Sequence, residues 1–239
     1  THHGWETRRV RTIGLLGGMS WESSAEYYRI VNEEVRRRLG GTPSAECVMW
    51  SCDFAEIEAL QERGDWAEAG AVLAGAAARL ESAGAELLVL CTNTMHRLAP
   101  EIEAATTVPF LHIADATADA VRADGRSVVG LLGTRYTMEA DFYRARLEER
   151  HGLTVLIPSE DDRTAVHDVI YGELVKGIVR PESKATYDRI IGDLFGAGAD
   201  GVILGCTEIE LLVPPDADDR LYPTTRLHAL AAVDAALAD

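Results

Sequence analysis

The chain has 239 residues, 47% of them hydrophobic and 26% charged, a composition typical of a globular protein with a large buried core. No apolar run approaches the roughly 20 residues that a membrane-spanning helix needs, and the formal net charge of -16 would repel a nucleic-acid backbone. Neither a membrane nor a nucleic acid is therefore an expected partner.

The cysteines and the first residues bear on the compartment. The four cysteines have no CxxC spacing, which favours free thiols over zinc binding or disulfides and indicates a reducing compartment. The basic stretch of residues 1–11 is followed by no apolar segment before Gly17, so no secretory signal is predicted. We expect a cytoplasmic protein.

Short runs rich in valine, isoleucine and leucine alternate with longer segments of helical periodicity, which predicts parallel strands joined by helices. The predicted strands are, in chain order, 12–16, 47–51, 86–90, 108–110, 127–132, 154–157, 201–204 and 220–222. The most strongly periodic helices are 22–39, 66–83, 138–149, 182–195 and 225–238.

Two pairs of segments repeat along the chain. The stretch "IGLLGGMSWESSAEYYR" from Ile13 matches "VGLLGTRYTMEADFYR" from Val129, and "VLCTNT" around Cys91 matches "ILGCTE" around Cys206. The two offsets agree to within one residue, which indicates an internal duplication. We therefore expect an α/β fold of two lobes with like topology and mostly parallel sheets, with a cleft between them.

The last predicted helix follows both repeats and should pack back on the first lobe. The expected lobes are residues 10–112 with 214–239, and residues 113–213.

The paired cysteines suggest the chemistry. Cys91 and Cys206 each follow a strand, at the sheet edge where open α/β sheets bind ligands. Backbone N–H groups there should lower the thiol pKa. Two thiols on opposite walls of one cleft suit proton transfer at a single carbon from either face, which is racemisation without a cofactor. Small polar side chains beside them could hold a substrate carboxylate: Thr92, Asn93, Thr94 and Thr207.

Plainer interpretations stand beside this one. A single cysteine at a strand end is more often a core residue, and Cys47 and Cys52 are expected only to pack. His96 could be a general base or could cap and pack, and His167 is expected on a helix face. Glycines 14, 17, 18, 130 and 133 fit tight turns better than a phosphate cradle. Glutamates 22, 208 and 210 could serve helix dipoles or acid-base chemistry, and Glu208 is the one to test.

Six motifs resemble the aspartate/glutamate racemases, which work without pyridoxal phosphate. They are "GLLGGMSWESSAEYY", "CTNTMH", "PFLHIADAT", "LLGT", "VIYGELVKGIVRPESK" and "GCTEIELL", and they span residues 12–212 in order. The resemblance implies flavodoxin-like lobes, a homodimer, an amino-acid substrate in the cleft, and no cofactor.

The resemblance also implies site residues. Cys91 and Cys206 would abstract and return the α-proton, and because some members carry threonine at the first position, Cys91 implies a full pair and reversible chemistry. Substrate contacts are expected from Met19, Ser20, Thr92, Asn93, Thr94, Thr134, Thr207 and Glu208.

One departure concerns the substrate side chain. Family members that grip an acidic side chain use an arginine after the second strand, where this chain has "SCDFAEIEAL". Lys176 and Arg135 are nearby candidates, and neither is assigned. The expected substrate is aspartate, glutamate or a broader range of amino acids. Alternatives are a hydantoin racemase, a maleate cis-trans isomerase or a non-enzymatic binding protein.

Overall fold

The computed structural model describes residues 10–214 and 216–238. Residues 1–9, which include most of the basic first stretch, lie outside the described residues. No helix in the described part is both long enough and apolar enough to cross a membrane.

Two four-stranded parallel sheets form the framework, and both have the same strand order. The first sheet is ordered β2-β1-β3-β4, and its strands are β1 (Ile13–Gly17), β2 (Cys47–Ser51), β3 (Leu87–Leu90) and β4 (Phe110–Leu111). The second is ordered β6-β5-β7-β8, and its strands are β5 (Val128–Gly133), β6 (Thr154–Leu156), β7 (Gly201–Gly205) and β8 (Leu221–Pro223). The prediction of two like α/β lobes is confirmed, and each predicted strand overlaps an observed one.

Helices connect the strands and cover the sheets. They are α1 (Trp21–Leu39), α2 (Phe54–Glu62), α3 (Trp66–Ser82), α4 (Ala99–Ala104), α5 (Ile113–Ala123), α6 (Arg135–Glu139), α7 (Asp141–Ala145), α8 (Glu160–Gly172), α9 (Pro181–Gly196) and α10 (Thr224–Leu237). Short 3₁₀ turns lie at Thr94–Leu98, Leu174–Lys176 and Thr207–Leu211, and a π turn at Arg146–Arg150. We call the lobe around the first sheet the first lobe and the other the second lobe.

The central strands are apolar because helices cover both of their faces. All residues of β1, β3 and β7 are buried. β1 then turns sharply into α1: Gly18 has φ 93°, and its N–H donates to Ser24 Oγ over 2.8 Å. A Cβ at Gly18 would collide with the Cys52 backbone, so only glycine fits. This tight turn sets the start of α1 at the carboxyl end of the first sheet.

The last two elements of the chain, β8 and α10, pack on different lobes. β8 adds to the second sheet, which therefore continues past the predicted lobe boundary at residue 213. α10 then packs on the first lobe, where Ala229, Ala232 and Val233 share a core with Tyr27 of α1.

The predicted helix 138–149 is wrong as a single element. Ala140 is extended (φ -82°, ψ 144°) and separates α6 from α7. Met138, before the break, packs with Val166 in one core, whereas Tyr143 and Leu147, after it, pack in another. A straight helix could not place these side chains in two different cores.

Candidate active site

A cleft opens between the lobes at the carboxyl ends of their strands. The first lobe lines it with Met19 and Ser20 after β1, Ser23 of α1, Phe54 and Gln61 of α2, and residues 92–94 after β3. The second lobe adds Thr134 after β5, Ile170 and Tyr171 of α8, Val175, and residues 205–208 at the end of β7. Ligands bind at this edge of open α/β sheets.

The thiol of Cys206 faces a carboxylate. Its Sγ donates to Oε2 of Glu208 over 2.9 Å. Burial raises the pKa of the Cys206 thiol well above its usual value, and the Glu208 carboxylate raises it further, while the backbone N–H of Glu208 lowers it by less. The backbone N–H group acts in the expected direction, but burial and the carboxylate outweigh it, so the pKa of this thiol is raised and not lowered. Cys206 is a thiol at rest, with a proton acceptor beside it.

Glu208 connects the two lobes across the cleft. Its Oε1 accepts from Ser20 Oγ over 2.8 Å and from Ser23 Oγ over 3.3 Å, both in the first lobe. Ser20 also caps α1, because its Oγ accepts from the N–H of Ser23. Two hydroxyls and one thiol point at the carboxyl group, as expected around an ionised acceptor.

Asn93 presents an unused acceptor. Its Nδ2 donates to Thr224 Oγ1 over 3.0 Å, and that hydroxyl in turn donates to the carbonyl of Leu204 over 2.9 Å. Because the Thr224 hydroxyl donates its only proton to the Leu204 carbonyl, it must accept a hydrogen bond from Asn93. The Asn93 atom facing Thr224 is therefore the amide nitrogen, which fixes the orientation of the amide group. The Oδ1 of Asn93 is then left buried, without a partner among the residues that the structure describes. A buried free acceptor in a cleft suits a donor on a ligand.

Hydroxyls complete the polar part of the cleft. Thr94 Oγ1 lies 2.9 Å from Thr134 Oγ1, a contact between the first and second lobes. Thr207 Oγ1 lies 2.7 Å from Thr225 Oγ1 at the start of α10. These hydroxyls can rotate to donate or accept, so they can serve a carboxylate or an amine.

The structure does not bring Cys91 to the cleft. Cys91 is 0% exposed and packs in the core with Leu15 and Tyr27, with its Sγ 3.8 Å from the carbonyl of Val89. Burial raises the pKa of this thiol as well. Thr92, the next residue, lines the cleft instead. The other predicted site residues line it too: Met19, Ser20, Asn93, Thr94, Thr134, Cys206, Thr207 and Glu208.

His96 is hydrogen-bonded to the backbone through both ring nitrogens. Its Nδ1 donates to the carbonyl of Thr92 over 2.7 Å, and its Nε2 accepts from the N–H of Ile113 over 3.2 Å. Burial and the neighbouring His112 and His228 hold the His96 pKa well below its usual value. A neutral ring with both nitrogens occupied fixes the backbone before Asn93 and is unsuited to act as a base. His167 is half-buried in α8, and its Nδ1 accepts from the N–H of Arg135 over 3.2 Å.

Sequence reasoning missed several cleft residues. Ile170, Tyr171 and Val175 lie inside the motif "VIYGELVKGIVRPESK", but apolar residues in a helix give no sign that they face a ligand. Phe54 lies within the stretch "SCDFAEIEAL", and Gln61 follows it directly, but neither an aromatic residue nor an amide in an amphipathic helix indicates a cleft position. Among the described residues, no three His, Cys, Asp or Glu side chains converge as a metal site requires.

Comparisons with known proteins agree on one family. The sequence model of the Asp/Glu/hydantoin racemase family matches residues 16–236 of this chain. A glutamate racemase from Roseiflexus sp. (strain RS-1) is 30% identical over 211 residues, covering 86% of this chain and 70% of its own length. The broad specificity amino-acid racemase RacX of Bacillus subtilis (strain 168) is 24% identical over 210 residues, covering 84% of this chain and 87% of its own.

A solved structure supports the same assignment. A Yersinia pestis protein described as an Asp/Glu racemase superposes with a TM-score of 0.90 at 52% identity, covering 95% of this chain and all of that one. Similarity of this extent covers both sheets and the cleft between them. The chain belongs to the Asp/Glu/hydantoin racemase family, among the amino-acid racemases that do not use pyridoxal phosphate.

Proposed function

We propose that the protein is a cofactor-independent amino-acid racemase whose α-proton transfer is centred on Cys206 and Glu208. The observation that carries this proposal is the 2.9 Å hydrogen bond from the thiol to the carboxylate, inside the cleft between the lobes. A thiol with an adjacent acceptor can become a thiolate during the reaction, although its pKa is raised at rest.

The proposed first half of the reaction uses this pair. The S–H proton of Cys206 passes to Oε2 of Glu208 and leaves a thiolate. The thiolate takes the α-proton of the bound amino acid, and the C–H bonding electrons remain on the substrate as an enolate. Hydrogen bonds from Ser20 and Ser23 to Oε1 keep the Glu208 carboxyl group in place while it holds the proton.

The second half needs a proton donor on the other face of the α-carbon. We assign this role to Thr92, which lines the cleft from the first lobe. Its hydroxyl gives a proton to the enolate and recovers one from solvent, and Glu208 releases its proton to solvent, so that the enzyme returns to its starting state. A hydroxyl is a far weaker acid than a thiol, so abstraction should be faster from the enantiomer whose α-hydrogen faces Cys206. A two-cysteine mechanism would require the Cys91 sulfur to leave its core.

Substrate binding is assigned to the polar groups that line the cleft. The buried Oδ1 of Asn93 would accept from the α-ammonium group. The Thr94, Thr134 and Thr207 hydroxyls would donate to the α-carboxylate, beside Met19 and Ser20. Aspartate, glutamate and a wider set of amino acids are the candidate substrates, since the relatives include a glutamate racemase and a broad-specificity racemase.

The first experiment is hydrogen exchange without any added cofactor. The purified protein is incubated in D₂O with L- and D-amino acids, and loss of the Cα proton is followed by NMR beside chiral chromatography. We expect exchange and inversion in the wild type and neither in Cys206→Ala. If no amino acid exchanges, the racemase proposal fails, and hydantoin racemisation, maleate isomerisation or simple ligand binding would be tested next.

A cytoplasmic location is also part of the proposal. It is supported by the four cysteines, which are all free.

The proposed homodimer is supported by two exposed apolar side chains on an edge strand. Met49 and Trp50 are about two-fifths exposed on β2, a strand that pairs only with β1 among the described strands. Light scattering after gel filtration should give twice the monomer mass, and Trp50→Glu should lower it.

A further inference from the structure

No positive side chain lines the cleft in the described part of the chain. Of the described residues that line it, none is lysine, arginine or histidine, and Glu208 is the one carboxylate. A carboxylate on the substrate side chain would therefore enter the cleft beside a negative group, without a cation to pair with. Burying an unpaired charge next to a like charge is strongly unfavourable.

One wall of the cleft is apolar. Phe54 stands at the start of α2, and Ile170, Tyr171 and Val175 come from the end of α8 and the turn after it. Gln61 is the neutral polar group on this side: its Nε2 donates to Met95 Sδ over 2.8 Å, and its Oε1 lies 3.5 Å from the Tyr171 hydroxyl. Such a wall suits an uncharged side chain.

Three cations close to the cleft residues in sequence or along the motifs, Arg97, Arg135 and Lys176, do not line the cleft. Arg135 donates to Thr164 Oγ1 over 2.5 Å, and the guanidinium of Arg97 stacks on Trp66, 4.3 Å from the ring centre. Lys176 follows Val175 directly, but it is exposed and does not line the cleft. Lys176 is therefore the cation most able to contradict the inference, and the experiment includes it.

We infer that the site takes amino acids with uncharged side chains, which lie against Phe54, Ile170, Tyr171 and Val175, and that it disfavours aspartate and glutamate. This inference rests on the proposed racemase function and adds a substrate class to it. The polar groups at Asn93, Thr94 and Thr134 hold the α-substituents that all amino acids share. The apolar wall and the lone Glu208 carboxylate then select by side-chain charge.

The experiment compares substrates of the same shape and different charge. Exchange of the α-proton in D₂O is measured with glutamine against glutamate and with asparagine against aspartate, using the wild-type protein. We expect kcat/KM for each amide to exceed that of its acid by about 100-fold, because the acid leaves a buried charge unpaired. Lys176→Met should leave both ratios unchanged.

A second pair of variants tests the wall. Val175→Ala should lower kcat/KM for methionine or leucine more than for alanine, because it removes contact with a long side chain. Val179→Ala is the matched control, since Val179 is 52% exposed and lies outside the cleft. Equal effects of the two variants on all substrates would contradict the proposed wall.

The outcomes separate the two proposals. If glutamate or aspartate exchanges at least as fast as its amide, or if Lys176→Met selectively removes activity on the acids, the inference is wrong while the racemase function stands. If no amino acid of either kind exchanges, the racemase function itself fails. Amide activity that exceeds acid activity and survives Lys176→Met supports both.

Discussion

The Glu208 carboxylate has two effects on Cys206, and they oppose each other. Beside the sulfur it raises the thiol pKa and so disfavours the thiolate at rest. As an acceptor 2.9 Å away it also provides the route by which the thiol proton leaves. In the proposed mechanism, the thiol proton passes to Glu208 within the bound complex, and a permanently ionised sulfur is not required.

Glu208→Gln separates these two effects. Removing the negative charge should bring the Cys206 thiol pKa down toward its usual value, while the amide cannot take the proton. We therefore expect alkylation of Cys206 to begin at lower pH, and kcat for racemisation to fall by about 10²–10⁴. Alkylation at each pH is measured by mass spectrometry of the Cys206 peptide. An unchanged alkylation profile would mean that the carboxylate does not control this thiol.

Cys91 and Thr92 offer a matched pair of neighbouring substitutions. Thr92→Ala should abolish inversion while leaving some α-proton exchange, because the thiol of Cys206 can still remove and return a proton on one face. Cys91→Ala should keep inversion and lower the free energy of unfolding by about 1 kcal/mol, because it leaves a small cavity in a packed core. Chiral chromatography, NMR exchange and denaturant unfolding are compared for both.

The opposite result would restore the two-cysteine mechanism. Inversion lost in a folded Cys91→Ala protein and kept in Thr92→Ala would show that the Cys91 sulfur reaches the substrate.

The position of Cys91 shows how far residue-level prediction can reach. The motif "CTNT" correctly marked this strand end as part of the cleft, because small polar side chains after a buried strand are typical of a ligand edge. Neighbouring residues leaving a strand point to different sides, so Thr92 lines the cleft while Cys91 lies in the core behind it, and the catalytic role of Cys91 stays a prediction. The repeat with Cys206 made Cys91 the natural choice, and only three-dimensional packing distinguishes it from Thr92.

At the scale of elements, strands were predictable and a break in a helix was not. The central strands are apolar runs bounded by glycine or polar residues, so they are recognisable without their partners. The helix predicted over 138–149 keeps a helical period on both sides of Ala140 and contains neither proline nor glycine. The break arises from tertiary packing, because the halves reach different cores.

The attachment of α10 to α1 gives a prediction at the same scale. The buried Tyr27 hydroxyl donates to His228 Nδ1 over 2.8 Å, and His228 Nε2 donates to the carbonyl of Leu111 over 2.8 Å. Tyr27→Phe leaves Nδ1 of a buried ring without a donor and should cost about 1–3 kcal/mol.

The neighbouring residue supplies the control. Tyr28→Phe changes the same chemical group on a side chain that is 52% exposed, so its effect on stability should lie within about 0.5 kcal/mol of zero. Urea unfolding of both variants tests the difference. Equal losses would mean that the hydroxyl contributes no stability through His228.

At the scale of the whole molecule, the cleft depends on both lobes being in place. Ser20 and Ser23 from one lobe meet Glu208 of the other, and Thr94 meets Thr134. β8 completes the second sheet immediately before α10 packs on the first lobe, so the chain ends by connecting the two. The duplication predicted two lobes, but it could not predict these contacts between them, since the contacting residues are of different types at matching positions of the two repeats.

A group of four glutamates beside the cleft, Glu22, Glu26, Glu208 and Glu210, predicts a pH dependence of stability. Burial, with the neighbouring carboxylate of Glu26, raises the pKa of Glu210 from about 4.5 to about 7, and its Oε1 is buried without a partner. Because this pKa is higher in the folded than in the unfolded chain, protonation of Glu210 stabilises the folded chain fully below about pH 4.5, and this stabilisation is lost as pH rises through about 7.

Glu210→Gln should therefore be more stable than wild type above pH 7, by about 1–3 kcal/mol, and the difference should shrink toward pH 5. Glu22→Gln, at an exposed position in the same acidic group, is the matched control for loss of one surface charge. Urea unfolding across this range decides it, and a difference that does not depend on pH would mean that Glu210 titrates alike in the folded and unfolded chains.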